Sequence, residues 1–251
     1  WDHEKYLGHS LEAILTEKMG ILRPHTPVFS AIRSPSLMAL LESRCRALGS
    51  ELFYSWKIPQ LCQSANWEGQ DARIDGNVFH LRNPSAAFLE NASLAYSLLR
   101  RIFPSVSTET IAIAFSKTAN PGRLETVQTK PRVVLSGDHN LAGVESLVHT
   151  LQTLQTRPKI LCGFSPDKPH QALVERLRSV ASDLLLTQVP RFESAMPSGY
   201  RELASFDPDP QHAYQTMVNR CTPEDTLVVT GSLYLVGELR PLFKDADRGR
   251  A

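Results

Sequence analysis

The sequence predicts an α/β protein in two segments, the second built on a mostly parallel sheet. Three observations carry this. After Pro131, short apolar runs at 132–135, 159–162, 184–187 and 226–230 alternate with helical patterns at about 140–154, 167–181, 209–220 and 232–243. Strands and helices alternating at that spacing are the mark of βαβ units. The stretch "TANPGRLETVQTKP" has the composition of a linker or domain entry, which places the joint near Ala119–Arg123. Finally, 251 residues with 42% hydrophobic and 21% charged side chains are enough for one large or two ordinary domains with a sizeable core.

The first segment opens, from Ser10, on a helix. Leu11, Ile14, Leu15 and Met19 recur at helical spacing, Ser10 can cap the first turn, and Gly20 and Pro24 punctuate the end. "PVFSAI" reads as a short buried strand. A second helix is expected from about Ser36 to Leu48, with Leu37, Leu40, Leu41 and Leu48 on one face and Gly49 as its stop. "ELFYSW" is strand-like. Between Lys57 and Asp75 the pattern weakens, and a loop is expected. "NVFHLR" is again a strand, Pro84 to Phe103 a helix, and "STETIAIAFSK" a shorter helix capped by Ser107.

Net charge is +1, with 27 Lys and Arg against 26 Asp and Glu, so there is no electrostatic case for nucleic acid as a partner. No apolar run approaches the roughly 18 residues of a membrane span, and no signal peptide is visible. The four cysteines, Cys45, Cys62, Cys162 and Cys221, form no CxxC or Cys/His cluster; reduced thiols in a cytoplasmic setting are expected. No Gly-Lys-Ser/Thr phosphate loop occurs anywhere. The chain starts at Trp1 with "WDHEKYLG", as if entered mid-stream, and a missing N-terminal portion is expected.

Four places carry candidate chemistry, each with a plain alternative. His3 and the Glu17-Lys18 pair are either a solvated chain start and charged helix face or part of a metal site, which would need further oxygen ligands. "NPGRLE", Asn120 to Glu125, is either a solvated linker or a turn placing Arg123 on a phosphate, which its planar fork suits. "SGDHN" follows the strand at 132–135. Asn140 is well placed to cap the next helix, whereas Asp138 and His139 are either exposed or part of a site at the strand's carboxyl end. "TGSLYLVGEL", from Thr230, is a generic strand-to-helix turn or one whose N–H groups attract an anion.

Taken in order, these motifs resemble the folylpolyglutamate synthase and dihydrofolate synthase family of the Mur ligase superfamily. "DHEKYLGHSLEAILTEKMGILRP" is similar to the family's Asp-His…Glu-Lys-Ala-Gly-Ile segment, "FLENASLA" to its helix with an Asn-Ala pair, and "NPGRLE" to its Trp-Pro-Gly-Arg-Leu-Glu linker. "LSGDHN" resembles Leu-Asp-Gly-Ala-His-Asn, and "TGSLYLVGELR" matches the family's ending almost letter for letter. The resemblance implies the C-terminal part of a P-loop-type Mur ligase central (ATP-binding) domain over 1–119. A Rossmann-like Mur ligase C-terminal (glutamate ligase) domain would follow over 120–251. It implies an ATP-dependent carbon–nitrogen ligase that adds L-glutamate to dihydropteroate or a reduced folate through an acyl phosphate, using ATP and Mg2+, as a monomer with no nucleic-acid or membrane partner. Without a P-loop, the chain by itself is expected not to turn over ATP.

The same resemblance assigns roles. His3 would be a magnesium ligand, and Lys18 a catalytic lysine, carbamylated beside a second metal. Asn91 would face adenine and Arg123 the ATP phosphates. His139 would be catalytic and help hold the incoming glutamate or nucleotide, with Ser232 on the glutamate side. Ser136 and Asp138 stand where the family has Asp and Ala, so a carboxylate is kept two positions along, and both are assigned to ATP. Ala87-Phe88 replaces His-Gln, Asn120 replaces Trp, and Met19 replaces Ala. Two rival readings are another Mur-type ligase, against which the Ser-Leu-Tyr-Leu-Val-Gly-Glu ending argues, and a degenerate, non-catalytic nucleotide- or folate-binding module.

Overall fold

The computed structural model describes residues 10–192 and 198–243. The chain divides into two compact units. The first comprises 1–64, 70–82 and 86–118, and the second 65–69, 83–85 and 119–251.

In the first unit, α1 (Leu11–Lys18) begins where the Ser10 side chain accepts the Ala13 N–H, as its sequence position suggests. After β1 (Val28–Ser30), α2 (Pro35–Ala47) leads to β2 (Leu52–Tyr54), which pairs with β1 in parallel. Leu15, Met19, Val28, Leu41 and Cys45 form one buried cluster. A second cluster lies under the sheet of β3 (Gln60–Asn66), β4 (Gly69–Ile74) and β5 (Asn77–Leu81). There Ala72, Ile74, Phe79 and Leu81 meet Leu89, Ala92 and Tyr96 of α3 (Ala86–Ile102) and Ile111 and Phe115 of α4 (Thr108–Lys117).

β3 and β4 correct the loop expected between Lys57 and Asp75. β3 is an edge strand, exposed through its four central residues, so no buried face imposes an apolar alternation on it. β4 does alternate, but its inward positions include Gln70 and Ala72, which carry little apolar signal.

The second unit is a doubly wound sheet of order β10-β9-β8-β11-β7-β6. β7 (Arg132–Ser136), β8 (Lys159–Cys162), β9 (Asp183–Thr187), β10 (Ser205–Asp207) and β11 (Thr226–Thr230) run parallel. β6 (Glu125–Thr129) pairs antiparallel on β7, inside the stretch expected to be a linker. Along each central strand the side chains alternate between two cores. Val134, Ile160, Cys162, Leu186 and Val228 pack with α5 (Leu141–Thr153) and α6 (His170–Arg178). Val133, Leu135, Leu161, Leu185, Leu227 and Val229 pack with α7 (Pro210–Asn219) and α8 (Leu233–Leu239). With each fully buried aliphatic side chain contributing roughly 1.5–3 kcal/mol, these two layers fix strand register and helix side together.

Boundaries shift where proline decides. α6 starts only at His170, with Pro169 as its cap, and α8 gives way at Arg240-Pro241 to a short 3-10 turn. β10, a three-residue edge strand, has too little pattern to read in sequence. Among the described residues, no helix is long and apolar enough to cross a membrane.

Candidate functional site

β11 enters the sheet between β8 and β7, and its following helix lies on the opposite face from the helices that follow those two strands. Topological switch points of this kind leave a crevice at the carboxyl ends of the strands. The turns after β7, β8 and β11 meet there. The Gly231 N–H donates to the Asp138 carbonyl at 3.1 Å, joined by the Thr230 hydroxyl at 3.4 Å. The Gly163 N–H donates to the Thr230 carbonyl at 3.1 Å. Gly231 has φ +99°, and a Cβ there would stand 2.5 Å from the Gly163 carbonyl oxygen, so only glycine lets the turns approach this closely.

Each polar residue of these turns has a definable task. Asn140 caps α5, its Oδ1 accepting the Gly143 N–H at 2.8 Å. Ser232, 2% exposed, caps α8 in the same way, accepting the Tyr234 N–H at 3.1 Å. His139 is half-buried and directs Nδ1 at the Gly137 carbonyl, 2.9 Å away. Bonding to a carbonyl places the proton on Nδ1 and leaves Nε2 as the basic nitrogen of the neutral ring. The Ser136 hydroxyl donates to Asp138 Oδ2 at 2.6 Å. Burial raises the Asp138 carboxyl above the usual carboxylate range, against the opposing pull of the Ser136 hydroxyl, Arg123 and His139.

Arg123 stands exposed on an adjoining turn that is tied down at several points. Asn83 Nδ2 donates to its carbonyl at 2.8 Å, and the Leu124 N–H donates to Ser136 Oγ at 3.2 Å. The Gly137 N–H donates to the Gly122 carbonyl at 2.8 Å, and the Gly122 N–H donates to Glu125 Oε2 at 2.8 Å. Glu125 in turn takes a two-pronged bond from Arg240, at 2.8–3.2 Å. Asn83 and the Glu125–Arg240 fork were not singled out in the sequence. "RNPS" signals only a turn, and a pair separated by 115 residues leaves no local trace.

Of the residues proposed from sequence, Arg123, Ser136, Asp138, His139 and Ser232 thus belong to the second unit, around β7 and β11. Asn91 is exposed on α3 and Lys18 is exposed at the last position of α1, beside Glu17; both belong to the first unit. His3 lies outside the described residues. Among the described residues no group of three or more His, Cys, Asp or Glu side chains could hold a metal ion, so they supply no complete donor set for magnesium.

Residues 122–233 match the family model described as "Mur ligase, glutamate ligase domain". The chain is 28% identical to the folylpolyglutamate synthase of Lacticaseibacillus casei over 257 residues, covering 95% of this chain and 59% of that protein. It is 25% identical to the dihydrofolate synthase/folylpolyglutamate synthase of Bacillus subtilis, covering 97% and 60%. The fold matches that of the Mycobacterium tuberculosis folylpolyglutamate synthase complexed with ADP, with a TM-score of 0.80 at 21% identity over 95% of this chain and 60% of that one. An L. casei enzyme structure gives 0.79 at 24% identity over 96% and 59%. The chain therefore spans about three-fifths of the length of these curated relatives.

The second unit thus combines a doubly wound sheet and paired turns about β11 with a stretch that matches the Mur ligase glutamate ligase domain. Over nearly its whole length the chain is similar to folylpolyglutamate synthases and dihydrofolate synthases.

Proposed function

We propose that this chain is the larger part of an ATP-dependent ligase that joins L-glutamate to dihydropteroate or a reduced folate through an acyl phosphate. The observation that carries the reading is the set of polar turns around β11, which present an imidazole and a guanidinium in the unit matched by the glutamate ligase domain.

In this reaction ATP phosphorylates the acceptor carboxylate, and the amine of glutamate attacks the resulting acyl carbon. Phosphate leaves with the carbonyl-bound oxygen, and the amine loses a proton to give the amide. Arg123 is suited to the phosphate charge, since its planar fork can bind two oxygens at once. His139 is proposed to hold the glutamate: with the proton on Nδ1, Nε2 can accept from the ammonium group or, once protonated, donate to a carboxylate. Ser232, which caps the helix after β11, is proposed to lie on the glutamate side. Asn91 is proposed to face adenine. Lys18, as a carbamate, and His3 are the proposed magnesium ligands; no step is assigned to a metal. The protein is proposed to act as a cytoplasmic monomer.

The test is phosphate release by the full-length protein that carries this chain, supplied with ATP, L-glutamate and either dihydropteroate or tetrahydrofolate. Release that needs both glutamate and acceptor supports the reading. ATP binding with no acceptor-dependent release would favour a degenerate, non-catalytic module instead.

A further inference from the structure

We propose that Ser136 and Asp138 are positioning residues for Arg123, acting through a hydrogen-bonded relay that fixes the turn on which the guanidinium stands. The proposal rests on the reading of Arg123 as a phosphate-binding residue. It replaces direct nucleotide contact as the task of the Ser136–Asp138 pair.

The turn needs such a device. Leu124 has φ +51°, a left-handed conformation that a bulky side chain occupies only when its surroundings impose it. Leu124 is also 9% exposed, so its N–H needs a partner within the protein. Ser136 Oγ supplies it at 3.2 Å. A hydroxyl has one proton to give, and at Ser136 it goes to Asp138 Oδ2 at 2.6 Å. The carboxylate thereby sets the rotor so that a hydroxyl lone pair faces Leu124. Removing the negative charge of Asp138 loosens that choice.

Ser136 is 1% exposed and spends its proton and a lone pair inside the protein, which leaves it poorly placed to contact a nucleotide. The remaining anchors act on the same three residues. Gly122 is held through its carbonyl by the Gly137 N–H, and Arg123 through its carbonyl by Asn83. Charge completes the coupling. The titratable groups acting on Asp138 are Arg123 and His139, both of which favour its ionised form. By reciprocity the carboxylate draws the guanidinium toward the β7 turn. Arg123 is thus steadied from both backbone and side chain before any phosphate arrives.

The experiment compares the full-length protein that carries this chain with its Ser136→Ala, Asp138→Asn, Arg123→Ala and Ser136→Ala/Arg123→Ala double variants. The first readout is the Leu124 amide by nitrogen-15 NMR. In the wild type its shift should titrate with the Asp138 carboxyl, at a midpoint above the ordinary carboxylate range. In Asp138→Asn that titration should vanish with the fold intact. Amide exchange at Leu124 should speed up about tenfold or more in Ser136→Ala, as expected for a lost hydrogen bond, with Val228 in the core unchanged. A Leu124 shift indifferent to Asp138, or exchange unaffected by Ser136→Ala, overturns the relay.

The second readout is ADP affinity. Ser136→Ala and Arg123→Ala should each weaken it, and the double variant should be no weaker than Arg123→Ala alone. Additive losses would instead mean that Ser136 contacts the nucleotide directly, and would overturn the proposal. If Arg123→Ala leaves ADP binding unchanged, the phosphate role of Arg123 fails, and with it the positioning role, while the NMR result reports separately whether the relay exists.

Discussion

The Gly231 N–H reaches the main-chain carbonyl of Asp138 across 3.1 Å, and this bond joins the turn after β11 to the turn after β7. The join depends on a residue without a side chain. In Gly231→Ala, a methyl would stand 2.5 Å from a backbone oxygen at a φ of +99°. We expect a loss of about 2–4 kcal/mol, combining backbone strain and overcrowding, measured by urea unfolding. A loss near zero would mean that the turns can separate at no cost.

Asn140 is expected to be a cap and nothing more. Asn140→Ala should lower stability by about 1 kcal/mol, while Asn140→Asp, which keeps an acceptor for the Gly143 N–H, should stay within a few tenths. Neither should alter the KM for glutamate by more than about twofold, a change too small for a lost substrate hydrogen bond. A large KM change with Asn140→Asp would give Asn140 a role in binding.

Asp138 sets a pH dependence whose sign can be derived. Its folded-state pKa is raised by burial, so between the ordinary carboxylate value and the raised one the native state holds more proton than the unfolded chain. Stability from this group therefore falls as pH rises through that window. Asp138→Asn, which keeps an oxygen to accept from Ser136, should be more stable than the wild type at pH 7, and the gain should shrink as the solution is acidified. Thermal unfolding across pH 3–8 measures it. A variant less stable at pH 7 would show that the ion's pull on Arg123 and His139 outweighs its desolvation.

His139→Ala should raise the KM for glutamate about tenfold to a hundredfold, as for a lost hydrogen bond to a charged group, with the KM for ATP much less affected. The opposite pattern would place His139 on the nucleotide side. Steady-state kinetics with each substrate varied in turn separate the two.

Much of the second unit was legible because its strands are buried on both faces. Runs such as "RVVLS" and "TLVVT" must be continuously apolar to fill two cores, and the predicted strands at 159–162 and 226–230 coincide with β8 and β11. The same physics hid β3 and β10, edge strands that owe their existence to pairing. At the candidate site the residue types were legible, and Asn140's cap could be read from one local spacing. The partnership of Ser136 with Leu124 could not. It depends on β6 folding back antiparallel onto β7, a long-range event, and on a left-handed leucine that no propensity favours. Likewise, "TGSLYLVGEL" reads as a strand-to-helix turn in sequence, but the bond of Gly231 to Asp138 follows from β11 being inserted beside β7.

The ligase reading is tested most directly by isotope transfer. The full-length protein that carries this chain is supplied with ATP, L-glutamate and an acceptor whose reacting carboxylate bears oxygen-18. Mass spectrometry should find the acceptor extended by one glutamyl residue and one labelled oxygen in the released phosphate, because an acyl phosphate passes that oxygen on when the amine displaces it. Unlabelled phosphate, or phosphate released with no glutamyl product, would contradict ligation through an acyl phosphate.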